Sequence, residues 1–86
     1  MVIEKKVWPE YFERILSSDK NFEVRLADWV CKIGDILILK EWDPKTKKYT
    51  GRSVKKRVTF VYKTKDQKFF SQEDVEKYGL QIIAFK

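Results

Sequence analysis

The stretch ILILKEWDPKTKK, residues 36–48, decides the fold. Its first seven residues are mostly apolar on both sides of an extended chain, which is typical of a strand in the middle of a sheet. Asp43 and Pro44 then open a polar, lysine-rich loop of the kind that joins two antiparallel strands. The run Ser53–Lys63 places apolar residues on one face, so we predict that it is the returning strand.

Two further strands and a helix are predicted before residue 36, where this hairpin begins. Ile3–Val7 predicts a short first strand, and Pro9 suits the first turn of a helix that ends near Ser17. Phe22–Leu26 alternates apolar and charged residues, which predicts a second strand.

The C-terminal part predicts a capped helix and a closing strand. Ser71 and Asp74 form a capping box, and Gly79 is placed to end the helix that follows. Leu80–Phe85 predicts the last strand. The order β-α-β-β-β-α-β favours one α+β domain over residues 1–86, mostly β, whose antiparallel sheet curls into a small barrel with two short helices.

Composition narrows the function classes. The 86 residues include 19 Lys and Arg against 13 Asp and Glu, a formal charge of +6. Such a charge favours a polyanionic partner, nucleic acid first, although solubility alone accounts for the same charge on many small domains. A high content of charged residues with few Asn and Gln is typical of a thermophile's protein.

Several kinds of site are disfavoured by what the sequence lacks. Histidine is absent and Cys31 is the single cysteine, so we expect no disulfide, no metal and no cofactor. No apolar run has the length of a membrane span and the first residues do not resemble a signal peptide, so we expect a cytoplasmic monomer without a membrane partner.

Lys20, Glu23 and Arg25 form the densest candidate site. Strand geometry would place Glu23 and Arg25 side by side, with Lys20 in the turn before them. Glu23 can accept from an amino or amide group, and the two cations can donate to carbonyl or phosphate oxygens. The alternative is an ordinary ion pair on a solvated face.

This spacing also resembles a known pattern. Lys-x-x-Glu-x-Arg is similar to the signature of the ASCH domains, although Ser18 stands where that family has glycine. Residues 33–35, Ile-Gly-Asp, resemble the family's turn before a central strand. Residues 39–43 with Tyr-Thr-Gly-Arg at 49–52 resemble an uncharacterised ASCH-like subfamily. The resemblance covers residues 5–85.

The resemblance implies a PUA-like β-barrel that binds RNA or a modified nucleoside in a cleft lined by Lys20, Glu23 and Arg25. Some ASCH-type relatives resemble amidohydrolases that act on N-acylated nucleosides, but they carry a threonine nucleophile where this chain has Glu23. In that alternative Lys20 and Glu23 would act as base or acid. We expect binding rather than catalysis.

Tyr49 and Arg52 are further ligand candidates. Tyr49 can stack on a base and Arg52 can reach a phosphate, with Gly51 allowing a close approach of the backbone. The equal alternative is a bulged hairpin in which Gly51 is purely conformational. The sequence leaves open whether the three tryptophans are core or ligand-stacking residues: Trp8, Trp29 and Trp42.

Overall fold

The computed structural model describes residues 1–85, which form a small α+β fold that is mostly β, as predicted. The elements in chain order are strand β1 at Val2–Val7, helix α1 at Pro9–Leu16, strand β2 at Ile36–Asp43, strand β3 at Lys48–Arg57 and helix α2 at Gln72–Tyr78. A short 3-10 turn at Thr64–Asp66 lies between β3 and α2.

The three strands form one mixed sheet in the order β1-β2-β3. β2 pairs with β3 antiparallel, as the hairpin predicted, but β1 pairs with β2 in parallel, with Val2 opposite Ile36. The expectation of an entirely antiparallel sheet is therefore wrong. The physical reason is the long crossover of residues 8–35, which contains α1 and returns the chain to the same end of the sheet.

The sheet is open in the described residues, so the predicted closed barrel is wrong for residues 1–85. Phe22–Leu26 and residues 80–85, both predicted as strands, contain no strand. The first of these segments is held to the sheet by a side-chain hydrogen bond. Arg25 donates from its Nη2 to the main-chain oxygen of Lys6 in β1.

The hairpin explains why β3 begins earlier than predicted. The Lys47 N–H donates to the Asp43 carbonyl at 2.7 Å, and the Lys45 N–H donates to Asp43 Oδ1 at 2.8 Å. This short loop lets pairing begin at Lys48, and pairing ends at Arg57 because its partner Ile36 begins β2. The predicted strand Ser53–Lys63 is therefore shifted toward the loop.

A bulge interrupts the hairpin near Gly51. The register shifts between Lys40 and Trp42, and Gly51 has a φ of +96°. A Cβ at Gly51 would meet no atom within 4 Å. This favours the conformational interpretation of Gly51, because the left-handed backbone rather than a close neighbour requires glycine.

The core lies between α1 and one face of the sheet. Val7, Phe12, Ile15 and Leu39 are buried together, with Leu37 and Val54 packed against them. Pro9 occupies the first turn of α1, as predicted. Trp8 before α1 and Leu16 at its end lie outside this core and are 48% and 45% exposed.

Both ends of α2 follow the sequence prediction. Ser71 Oγ accepts a hydrogen bond from the Asp74 N–H at 3.1 Å, and Gly79 follows the last helical residue with a φ of +70°. Among residues 1–85, no helix has the length and apolar composition needed to cross a membrane.

Candidate functional site

Lys20, Glu23 and Arg25 converge in the structure, although they lie on an irregular segment rather than a strand. Lys20 Nζ donates to Glu23 Oε1 and to the main-chain oxygen of Phe22, both at 2.6 Å. Arg25 Nε and Nη2 lie 2.9 and 2.8 Å from Glu23 Oε2. Glu23 therefore holds one cation at each carboxylate oxygen. We call these three residues the charged trio.

The trio is better shielded from solvent than an ordinary surface ion pair. The side chains of Lys20 and Glu23 are 15% and 16% exposed, and that of Arg25 is 31% exposed. Two contacts leave Lys20 with one ammonium proton to donate. Arg25 Nη1 makes no hydrogen bond within residues 1–85, so its two N–H groups are also available.

A cleft of about 420 Å³, here called the main cleft, lies beside the trio. Its volume falls in the usual range for small-molecule sites, roughly 300–1,000 Å³. Six cations and one carboxylate line it: Lys5, Lys20, Arg25, Lys56, Arg57, Lys63 and Glu23. Four aromatic side chains join them: Phe22, Trp29, Phe60 and Tyr62. The main cleft thus combines positive charge with aromatic surface.

A second cleft, of about 590 Å³, also borders the trio. This edge cleft shares Lys20, Glu23 and Arg25 with the main cleft and is also lined by Lys6 of β1. The trio therefore stands where the two clefts meet.

Arg52 lies away from the trio and lines neither cleft. Its Nε and Nη2 donate to the two carboxylate oxygens of Glu41 at 2.9 and 2.8 Å, and Nη2 also contacts Glu13 of α1. The Thr50 hydroxyl donates to Glu41 as well. These contacts join the hairpin to α1. The predicted contact of Arg52 with phosphate stays a prediction, although its guanidinium already binds two carboxylates.

Glu41 is a residue that sequence reasoning missed. Its side chain is 4% exposed, and hydrogen bonds from Arg52 and Thr50 hold its pKa below the ordinary value. Hydrogen bonds to Glu41 and then to Glu13 raise the pKa of Arg52. An acidic residue in a predicted central strand was the available signal, since a buried carboxylate requires a partner.

Tyr49 lies on the sheet face turned away from α1 and is 54% exposed. Trp42 is its register partner on β2. Lys6 Nζ lies 4.6 Å from the Trp42 ring centre and 5.8 Å from that of Tyr49, and Lys40 Nζ also lies 5.8 Å from Tyr49. Tyr49 thus lies on the opposite face of the sheet from Arg52 and lines neither cleft.

The tryptophans have three different environments. Trp29 is half-buried in the main cleft with Lys5 Nζ 4.0 Å from its ring centre. Trp8 borders the edge cleft. Trp42 is half-buried on the outer sheet face. None of them belongs to the buried core cluster, which favours surface roles for all three.

The chain was matched to a protein family over most of its length. A model described as a domain of unknown function, DUF3850, matches residues 2–75. The chain belongs to the DUF3850 family. The matched residues include all three strands and every residue that lines the two clefts, the last of which is Lys63. No curated protein and no solved structure matches this DUF3850 chain.

Within the described part of the chain, no group of three or more His, Cys, Asp or Glu side chains is placed to hold an ion. The charge of the main cleft is predominantly positive, which suits an anion rather than a cation.

Cys31 offers a chemical probe of the main cleft, which it lines. Burial, aided by the charge of Asp35, raises the pKa of its thiol. Because the thiolate is the reactive form, we expect iodoacetamide to modify Cys31 of the folded protein more slowly than the same residue in urea at equal pH. Mass spectrometry follows the reaction. Equal rates, after correction for urea with a model thiol, would contradict the placement of Cys31.

Proposed function

We propose that this DUF3850 domain binds RNA or a nucleotide in the main cleft, with the charged trio at its centre. The observation that carries the proposal is the lining of the cleft, with six cations, one carboxylate and four aromatic side chains. Cations attract the phosphates of a polyanion. Aromatic faces stack on unpaired bases.

The trio divides into two ligand-binding residues and one positioning residue. Lys20 and Arg25 retain donors for phosphate or base carbonyl oxygens. Both oxygens of Glu23 already accept from these cations, so we assign Glu23 to orienting them. Glu23 Oε1 accepts only from Lys20 within residues 1–85, so the expectation that Glu23 also accepts from the ligand stays a prediction.

We also propose that the domain is related to the ASCH domains. The Lys-x-x-Glu-x-Arg pattern supports this relationship, and so does the convergence of its three side chains beside a cleft. The open sheet of the described residues differs from the barrel that the resemblance implies.

The contacts of Lys20 favour binding over the amidohydrolase alternative. Its ammonium group donates to a carboxylate and to a carbonyl. These contacts make Lys20 a hydrogen-bond donor in the trio, which is the role that binding of a phosphate or carbonyl oxygen requires. No hydroxyl nucleophile stands at Glu23, as the resemblance had already indicated.

Arg25→Ala tests the proposal. We expect wild-type protein to bind a fluorescent single-stranded RNA with an affinity that falls steeply with salt, because binding releases counterions. The variant should bind roughly tenfold more weakly or worse, with a salt slope lower by about 1. Lys65→Ala, which removes a charge outside both clefts, is the matched control and should bind nearly as wild type.

Arg25→Lys separates charge from geometry in the same titration. It retains the positive charge but loses the planar fork that contacts Glu23 and Lys6. An affinity between those of the wild type and Arg25→Ala would indicate that both the charge and the planar geometry of Arg25 contribute to binding. The proposal fails if wild-type protein binds no better than a neutral protein at low salt, or if Lys65→Ala loses as much affinity as Arg25→Ala.

A further inference from the structure

The outer face of the sheet carries an aromatic and basic patch whose residues do not line the main cleft. Trp42 and Tyr49 are register partners across β2 and β3, and Lys6 and Lys40 are register partners across β1 and β2. Every second side chain along a strand points to the same face of the sheet, and register partners share a face. All four side chains therefore lie together. We call these four residues the sheet patch.

The patch is accessible and predominantly positive. Lys6 and Tyr49 are exposed, while Lys40 and Trp42 are half-buried. The ammonium groups of both lysines lie within 5.8 Å of the Tyr49 ring centre. One carboxylate from β1, that of Glu4, is 3.0 Å from Lys40 and balances part of this charge. Lys6 has no carboxylate partner within residues 1–85.

Lys6 connects the sheet patch to the charged trio. It lies on β1, an edge strand, and lines the edge cleft that the trio borders. Its main-chain oxygen accepts a hydrogen bond from Arg25, while its ammonium group lies over Trp42. A continuous surface therefore runs from Arg25, through the edge cleft, to the rings of the patch.

We propose that the sheet patch binds the continuing strand of a single-stranded RNA whose neighbouring nucleotide occupies the site at the trio. This inference rests on the proposed function. The rings of Tyr49 and Trp42 stack on successive bases, and the lysines contact the phosphates between them. A base displaces the lysine from the ring, because its stacking is stronger than an exposed cation–π contact. A duplex cannot bind in this way, since its base faces are covered.

Tyr49→Ala and Lys6→Gln test the patch in an anisotropy titration with a labelled oligouridine of about twelve nucleotides. Tyr49→Ala should weaken binding roughly 5- to 150-fold, the range for loss of one stacked base. Lys6→Gln should lower the salt slope by about 1. The matched controls lie in α2, where Lys77 Nζ is 5.2 Å from the ring centre of Tyr78, which is 74% exposed. Tyr78→Ala and Lys77→Gln should bind as wild type.

Arg25→Ala, measured beside these variants, separates failure of the inference from failure of the proposed function. If Arg25→Ala loses binding while Tyr49→Ala and Lys6→Gln match their controls, the sheet patch is excluded and the trio site stands. If wild type binds duplex RNA as tightly as the oligouridine, stacking on the patch is excluded as well. If the wild type binds no RNA, both proposals fail.

Discussion

Arg52→Ala is expected to lower the thermal unfolding midpoint by roughly 10–20 °C near neutral pH, measured by circular dichroism. The side chain of Glu41 is 4% exposed, and Arg52 supplies two hydrogen bonds to it. The Thr50 hydroxyl remains in the variant but carries no charge. A buried carboxylate without its cation destabilises a fold far more than the loss of an exposed ion pair does.

The pH dependence of this effect identifies its cause. In the wild type, Arg52 and Thr50 hold the pKa of Glu41 below its ordinary value, so the stabilisation is present at neutral pH and is lost as pH falls through the lowered pKa. In the variant, the Thr50 hydrogen bond still lowers the pKa of Glu41 while burial opposes it, so less stabilisation remains to be lost as pH falls. The difference between the two midpoints should therefore shrink in acid.

Two comparisons make this prediction specific. The carboxyl of Asp35 also has a lowered pKa, chiefly through a hydrogen bond from the Lys32 N–H, but it is common to both proteins and cancels in the difference. Arg52→Lys retains a cation and should lose less stability than Arg52→Ala. A midpoint difference that stays constant as pH falls from neutral through the lowered pKa of Glu41 would show that Glu41 is not the cause.

Phe12→Ala should lower the free energy of unfolding by about 3–5 kcal/mol, measured by urea denaturation. The Phe12 side chain is 1% exposed and is the largest fully buried one in the described residues. It packs with Leu39 of β2, and the Arg52 guanidinium lies 5.1 Å from its ring centre. The total free energy of unfolding of a small domain is about 5–15 kcal/mol, so the expected loss is a large fraction of it.

Phe69→Ala is the matched control for Phe12→Ala. Phe69 is 89% exposed, so the same substitution should change the free energy of unfolding by less than about 0.5 kcal/mol. Similar losses for the two variants would mean that Phe69 is covered in solution, and that the core extends beyond the contact between α1 and the sheet.

The charged trio could be predicted because its residues are close in sequence. Lys20, Glu23 and Arg25 fall within six residues, so almost any compact local conformation brings them together. The predicted strand was wrong, yet the contacts formed through side chains on an irregular segment. Tyr49 and Arg52 were both predicted as ligand candidates, but the bulge beside Gly51 and the alternation of β3 place them on opposite faces.

By itself, the sequence determined the features that depend on neighbouring residues. These include the turn at Asp43, the start of α1 at Pro9, and both ends of α2, because hydrogen bonds and backbone restrictions act within about four residues there. Only the tertiary structure decided the parallel pairing of β1 with β2, the open sheet and the burial of Glu41. Each of these depends on where the crossover returns the chain, and contacts between residues far apart in sequence leave no local pattern to read.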